Sequence, residues 1–461
     1  MRKFTTLTES YLPFLVIGSF LIPIKLSFAY CIFIPLILSY SYNAYRAKKL
    51  TDFVCHPLST PLLVFFSTAC ATSLLGLNPL KSVPTILGAI GMILLIPLYS
   101  SLNSKKDVCL VLGGLIAGQC VAAVHSIITR IEPRFPNGFF VGEVTESGQI
   151  GLTLLVCFGL IRYIETRSLQ ETMRLEHPLP QRGAIILKLV AVMITILILL
   201  SCFAGSLTIS PIITNLSVLS TLLAVTGILF YAIRTIQAHP TQAVAYLPLL
   251  ITFSLPVLTT TLLVNLKRGP WMGSLVGLVI YLMAFRPRII IPLFAIVLLI
   301  TTTLTPVRER LIAAQEHFFI SGGRSEIWDI GKEMLQTYPL GIGFKNSPVL
   351  QKFSSEIPIN LRHFHSNPIN IAVETGILGL ALYLWWIITV LQVARNVRTL
   401  DAHYHSLGIA IGAAIISWQV AGLVEYNFGD SEVLYIGYIL IGLLGVLAKP
   451  AIDSVQSERL K

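Results

Sequence analysis

Apolar runs of roughly 14 to 25 residues follow one another from end to end of this chain, each long enough to cross or nearly cross a hydrocarbon layer of about 30 Å as helix. They fall at 11–24, 28–42, 57–76, 83–101, 107–128, 147–161, 184–205, 214–236, 243–264, 271–285, 289–305, 367–391, 405–424 and 431–448, separated by short polar or basic segments. Several are short or carry Pro, among them 11–24 (Pro13, Pro23), 28–42 (Pro35) and 243–264 (Pro248, Pro256). Read as re-entrant or tilted pieces, these lower the count of spans from about 14 to about 12. Pro within a membrane helix predicts a kink rather than a stop. The expected fold class is an all-α polytopic integral membrane protein with about 12–14 transmembrane helices.

Composition agrees, with 54% of residues apolar and 12% charged and a mean hydropathy of +0.78. A soluble core cannot hide that much apolar surface. With Met1 placed in the cytoplasm and sides alternating at each span, the cytoplasmic segments receive Arg2, Lys3, Arg46, Lys48, Lys49, Lys105, Lys106, Arg162, Arg167, Arg174, Arg182, Arg234, Arg286, Arg288, Arg395, Arg398, Lys449, Arg459 and Lys461. That matches the positive-inside bias and puts both termini in the cytoplasm. The chain then divides into N-terminal transmembrane helices (1–305), a larger periplasmic loop carrying short helices (306–365) and C-terminal transmembrane helices (366–461).

The outer loop breaks the charge rule. It carries Arg308, Arg310, Arg324, Lys332, Lys345, Lys352 and Arg362, and Lys267 and Arg268 precede the tenth span on the same face. An anionic substrate explains such a concentration economically; snorkelling to lipid phosphates is the alternative for any one of these side chains. The N-terminal segment has the basic start and apolar middle of a signal peptide. Tyr30 stands before Cys31 where a lipoprotein signal wants a small residue, so the segment is expected to be retained as the first span. Cys31, Cys55, Cys70, Cys109, Cys120, Cys157 and Cys202 all fall in predicted spans or cytoplasmic loops, which leaves neither an outer-face disulfide nor metal-ligand spacing.

Within the loop, residues 321–335 predict a short amphipathic helix with Ile327, Ile330, Met334 and Leu335 on one face, lying at the interface with Trp328 as an anchor. Arg324 begins it, where a guanidinium joins the free N–H groups of the first turn in facing a phosphate. The Tyr338–Phe344 Pro/Gly turn then returns the chain toward the membrane. The loop closes on His365-Ser366-Asn367, ahead of an apolar helix punctuated by Gly376 and Gly379. These two glycines read as close helix packing, and Met272, Trp385 and Trp386 as lipid-facing or interfacial packing.

The spacing His365-Ser366, nine residues, Gly376, two residues, Gly379 resembles the signature of the O-antigen ligase and O-antigen polymerase superfamily of bacterial envelope glycosyltransferases. Two further motifs are similar to that superfamily. One is Arg324, Trp328 and Pro339-Leu340-Gly341-Ile342-Gly343; the other is Arg268-Gly269-Pro270-Trp271, where Lys267 replaces the usual Ser. Matched motifs cover about 268–379, while the first half shares only topology and a Gly-Phe-Phe loop at Gly138. The resemblance implies transfer of a glycan from undecaprenyl diphosphate to a hydroxyl acceptor, at the periplasmic face of the bacterial inner membrane, with inversion at the anomeric centre. The best-matching acceptor is lipid A-core oligosaccharide, and membrane lipids are the remaining partner. Neither cofactor nor metal is called for, and no nucleic acid.

Such chemistry needs a base and a cationic clamp. His365 suits the first, since imidazole titrates near neutrality. Arg268 and Arg324 suit the second, since planar guanidinium groups pair bidentately with phosphate oxygens. His363, Glu374, Lys267, Glu425 and Asp430 are secondary substrate-binding candidates. Each has a plainer reading: His365 as a helix cap, His363 as its alternate or its orienting neighbour, Glu374 as a structural hydrogen-bond partner, Glu425 and Asp430 as solvated loop acids. Within the enzyme class, a polysaccharide polymerase and a protein O-oligosaccharyltransferase of the same superfamily stay open. Outside it, a small-anion transporter of the bicarbonate type is the competitor, expected to show mid-membrane charges and internal repeats.

Overall fold

The computed structural model describes residues 2–131, 141–165, 247–320, 323–346, 363–400 and 405–459. Every regular element among them is helical: α1 (Arg2–Leu21), α2 (Leu26–Arg46), α3 (Leu50–Val54), α4 (Thr60–Leu74), α5 (Pro79–Ile93), α6 (Leu95–Ser100), α7 (Lys105–Ile131), α8 (Glu143–Glu165), α9 (Leu247–Val264), α10 (Arg268–Phe285), α11 (Ile290–Thr303), α12 (Thr305–Phe319), α13 (Arg324–Thr337), α14 (Asn367–Leu400), α15 (His405–Ala421) and α16 (Ser431–Arg459). The all-α polytopic class is therefore observed. Seven stretches are long and apolar enough to span a membrane: Leu26–Arg46, Pro79–Ser100, Lys106–Ile127, Glu143–Tyr163, Arg268–Phe285, Asn367–Val397 and Ser431–Lys449. Shorter apolar helices and a pair bent by 92° at Leu304 supplement them. Helices stand over the predicted windows except 184–205 and 214–236, which lie outside the described residues, as do Cys202 and the Gly138 loop.

α15 is the axis of the C-terminal half, packed on α8, α10 and α14. Its contact with α10 is a seam of small residues. A Cβ added at Gly277 would come within 2.9 Å of the Ala413 carbonyl oxygen, and one at Gly273 would collide with the Ser417 carbonyl. Small residues four apart let two helix backbones approach, which is how helices associate where hydrocarbon solvent provides no hydrophobic drive.

Trp386 corrects the expectation of a lipid-facing aromatic pair. Trp385 is exposed, but Trp386 is fully buried, with Tyr383, Trp418 and Tyr438 around it. A residue one position further along a helix points some 100° away, so adjacent tryptophans divide between lipid and core.

The 306–365 segment also departs from expectation. α12 and α13 are present, but the apolar face of α13 does not lie on a membrane surface. Ile327, Ile330 and Met334 pack on Ile342, Phe364 and Val373, forming a small core of their own. Trp328 is half-buried, and its Nε1–H donates to the Phe364 carbonyl at 3.0 Å. It is a strut between the loop helix and the residue before His365.

Candidate active site

Five segments bring the predicted side chains to one end of the bundle. Arg268 sits at the first turn of α10. The turn before it is fixed from two sides: Asn265 donates through Nδ2 to Glu146 Oε2 at 2.9 Å, and Arg310 Nε of α12 donates to the Leu266 carbonyl at 3.1 Å. Leu266 is thereby held at φ 52, a left-handed conformation that ordinary side chains adopt rarely and that persists where surroundings over-determine it. Arg310 and Arg324 lie near enough to Arg268 for their positive charges to act on it, with Glu425 as the opposing charge. Arg268 Nη1 is buried without a hydrogen-bond partner among the described residues.

Glu425 is the centre of the group. Its Oε1 accepts from Arg324 Nη2 at 3.3 Å, and its Oε2 lies 3.7 Å from His365 Nδ1. Gly269 makes room for it, since a Cβ there would come 2.7 Å from Glu425 Cγ. Burial raises the carboxyl's pKa, but His365, Arg324 and His363 outweigh it and hold the group below the ordinary carboxylate range. An ionised carboxylate between an imidazole and a guanidinium orients both.

His365 adopts φ 50 and its side chain keeps 30% exposure, enough for a hydroxyl to reach it. Both flanks of its backbone are pinned. Phe364 N donates to Asn370 Oδ1 at 3.2 Å, and His365 N donates to His363 Nδ1 at 3.3 Å. The two imidazoles meet edge to face, with centroids 4.3 Å apart. Burial first, then His365, Lys345 and Arg324, pull His363 down to about 4 against the opposing charge of Glu425. At neutral pH His363 is thus an uncharged ring that accepts from its neighbour's backbone.

The break in α14 explains how this loop is held. Gly376, inside the helix, takes φ 75 and ψ 176, releasing the carbonyls of Val373 and Glu374. Ile342 N and Gly343 N donate to them at 2.9 and 3.0 Å. Gly341 and Gly343, at φ 90 and 99, supply the turn that delivers those donors. The Pro-Leu-Gly-Ile-Gly segment and the His-motif helix are therefore two halves of one joint. Gly376 does permit close approach, as its spacing suggested, but of a loop backbone onto a broken helix rather than of one helix on another.

The secondary candidates divide. Glu425 and His363 join His365 and the arginines. Lys267 turns away and pairs with Glu143 at 3.3 Å. Glu374 is fully buried and accepts from Tyr426 Oη at 3.3 Å. Asp430 accepts from Thr145 Oγ1 at 2.5 Å; burial first, then Glu432, push it up to about 7 against Thr145 and Lys345. Two loop cations counted in the sequence only as charge gain places here. Arg310 faces Arg268, and Lys345 donates to the Gly429 carbonyl at 2.7 Å. Burial lowers the Lys345 pKa, opposed by Glu374 and Asp430 and reinforced by Lys81. Their excess on a predicted outer face was the only sign of them. Among the described residues no three His, Cys, Asp or Glu side chains group as metal ligands.

Residues 252–384, which include the arginine cluster, both histidines and the Gly376 joint, match the family model described as O-Antigen ligase. Over that segment, which is under a third of the chain, the protein is similar to the O-antigen ligase family. It is 27% identical over 206 residues to a Rickettsia felis (strain ATCC VR-1525 / URRWXCal2) protein named "Putative polysaccharide ligase", a match covering 40% of this chain and 48% of that one. A Rickettsia prowazekii (strain Madrid E) protein of like name is 26% identical over 200 residues, again 40% of this chain and 48% of the relative. The matches thus span about half the length of these relatives. With several membrane-length apolar helices, the protein is a multi-pass membrane protein. Glu425, which bridges Arg324 and His365, lies beyond the matched segment.

Proposed function

We propose that this protein is a member of the O-antigen ligase superfamily, an inverting glycosyltransferase that moves a glycan from undecaprenyl diphosphate to a hydroxyl of lipid A-core oligosaccharide at the periplasmic face of the bacterial inner membrane. The observation that carries the reading is the meeting of Arg324 and an imidazole at one carboxylate, with Arg268 and then Arg310 beside them from two further helices. His365 takes the proton of the acceptor hydroxyl as its oxygen attacks the anomeric carbon. The bond from that carbon to the diphosphate oxygen breaks, and the carrier leaves as the lipid diphosphate with one more negative charge. Arg268, Arg310 and Arg324 face the position where that charge appears. Donors pre-placed toward developing charge cost no reorganisation at the moment of reaction. Glu425 stabilises the imidazolium that forms and keeps Arg324 in place. The charge for the leaving group comes from guanidinium groups, so the scheme needs no metal.

The test is transfer by purified protein in detergent, supplied with polyprenyl diphosphate-linked oligosaccharide and lipid A-core, with a chelator present. Product on the core, lost in His365→Ala and Arg268→Ala at normal membrane insertion, supports the reading. Longer glycan on the carrier makes the protein a polymerase, and transfer to a polypeptide makes it a protein O-oligosaccharyltransferase. Normal transfer by both variants removes the catalytic assignment. Absence of any transfer, with anion flux through proteoliposomes, makes it a transporter.

A further inference from the structure

Glu425 stands in the loop that joins α15 to α16, residues 422–430, outside the segment that matches the family model. What fixes it beside His365 comes from inside that segment. Asn367, at the start of α14, grips the loop on both sides of Glu425. Its backbone N–H donates to the Gly422 carbonyl at 2.6 Å. Its Nδ2 donates to Asn427 Oδ1 at 2.7 Å, and its Oδ1 accepts from Phe428 N at 3.0 Å. Gly422 leaves room for the approach, since a Cβ there would fall on the Asn367 amide. Asn367 and Asn427 are both buried.

Asparagine suits this place because its short side chain carries a donor and an acceptor together. At a helix start such a residue is ordinarily a cap, turned back on the first N–H groups of its own helix. Here the side chain reaches off α14 to another segment. The far end of the loop is rooted in the core: Asn427 Nδ2 donates to the Trp418 carbonyl at 3.3 Å, and Phe428 stacks on Phe66 and Trp418. In the same first turn of α14, Asn370 Oδ1 accepts from Phe364 N at 3.2 Å. One helical turn therefore holds the backbone beside His365 and both flanks of Glu425.

We propose that Asn367 is a positioning residue for the Glu425–His365 pair, setting where the Glu425 carboxylate stands relative to His365 Nδ1, 3.7 Å away. A carboxylate on that side of the ring favours the tautomer with its proton on Nδ1 and leaves Nε2 to act as the base. A displacement of about 1 Å in such an arrangement is enough to cost on the order of 10²-fold in rate. The proposal rests on the transfer reading above for its kinetic test alone.

The test is a double-mutant cycle. Asn367→Ala and Asn427→Ala each remove part of the grip and leave the backbone bond to Gly422 in place. Each is expected to lower kcat about tenfold in the wild-type protein and by less than about twofold in Glu425→Ala, because the two changes act on one carboxylate. Tm in detergent is expected to fall by the same amount in both backgrounds, since loop groups left unpaired cost stability whether or not the carboxylate is there. The same kcat factor in both backgrounds, or an unchanged kcat in both variants, overturns the proposal. Nitrogen NMR of protein labelled in its histidine rings, at mildly alkaline pH, gives a readout that needs no turnover. Both variants are expected to lose the Nδ1–H tautomer of His365 toward the mixture shown by Glu425→Ala. That result with no transfer by the wild type upholds the positioning role, and the transfer reading alone fails. Wild-type His365 signals in both variants sink the positioning role while leaving transfer standing.

Discussion

On one side of His365 stand Arg268, Arg310 and Arg324, with Glu425 as the carboxylate that pairs with Arg324 and opposes Arg268. On the other stands Lys345, buried, with Glu374 and Asp430 as opposing charges and a backbone carbonyl as hydrogen-bond acceptor. The first flank gathers like charges with too few counter-charges; the second is nearly balanced. Like charges at a partly solvated surface repel weakly, because the effective dielectric is high, whereas a buried ammonium needs its partners close. The arginine flank therefore keeps a surplus of positive charge, which the proposed diphosphate donor would offset. The lysine flank is complete in itself, its ammonium matched by a backbone carbonyl and two nearby carboxylates.

The largest effect expected of breaking this contrast is at Glu425. Glu425→Ala leaves His365 and Arg324 without their common partner and is expected to lower kcat by roughly 10²-fold or more, the scale of general acid–base assistance. Steady-state transfer kinetics check it; an unchanged kcat makes the carboxylate a bystander. Arg268→Lys keeps the charge but not the planar fork and is expected to fall at least tenfold in kcat/KM, about 1.4 kcal/mol. Activity near wild type would reduce this flank to a diffuse positive field. Gly376→Ala attacks the joint that both flanks share: its Cβ would come 2.7 Å from the Pro339 carbonyl at a φ of 75. It is expected to cost about 1–3 kcal/mol of stability, read as a lowered Tm in detergent.

A smaller effect separates the two histidines. His363 is held down to about 4 in the folded protein from an ordinary value of 6.5, so below pH 6.5 the unfolded chain binds the extra proton and the native state resists it. Stability therefore falls as pH drops from 6.5 toward 4. His363→Gln is expected to flatten that part of the Tm profile while kcat stays near wild type. A large loss of kcat in this variant would make His363 the base. Smallest of all, Trp328→Phe removes the hydrogen bond to the Phe364 carbonyl and is expected to cost about 1 kcal/mol, with a modest rise in KM as the His365 loop loosens.

Much of this was legible beforehand. The span windows read from hydropathy coincide with helices wherever residues are described, and the ordered arginine and histidine motifs do meet. Trp328 was misread because an amphipathic helix looks the same whether its apolar face meets lipid or Phe364 and Val373. Glu425 ranked low because an acid in a short loop is usually solvated, and nothing in its local sequence says that a guanidinium and an imidazole from distant segments close on it. Lys345 and Arg310 were visible only as members of an excess.

The amino-acid sequence by itself determined the membrane class and helical content, through long apolar runs that in hydrocarbon must satisfy their backbone groups internally. It also determined which residue types were available for acid–base and anion chemistry. The tertiary structure alone decided which of those residues meet. Membrane helices associate through the close approach of small side chains such as Gly273 and Gly277 rather than through a hydrophobic pattern. That choice of neighbours sets Arg268 against Glu425 and turns Lys267 toward Glu143.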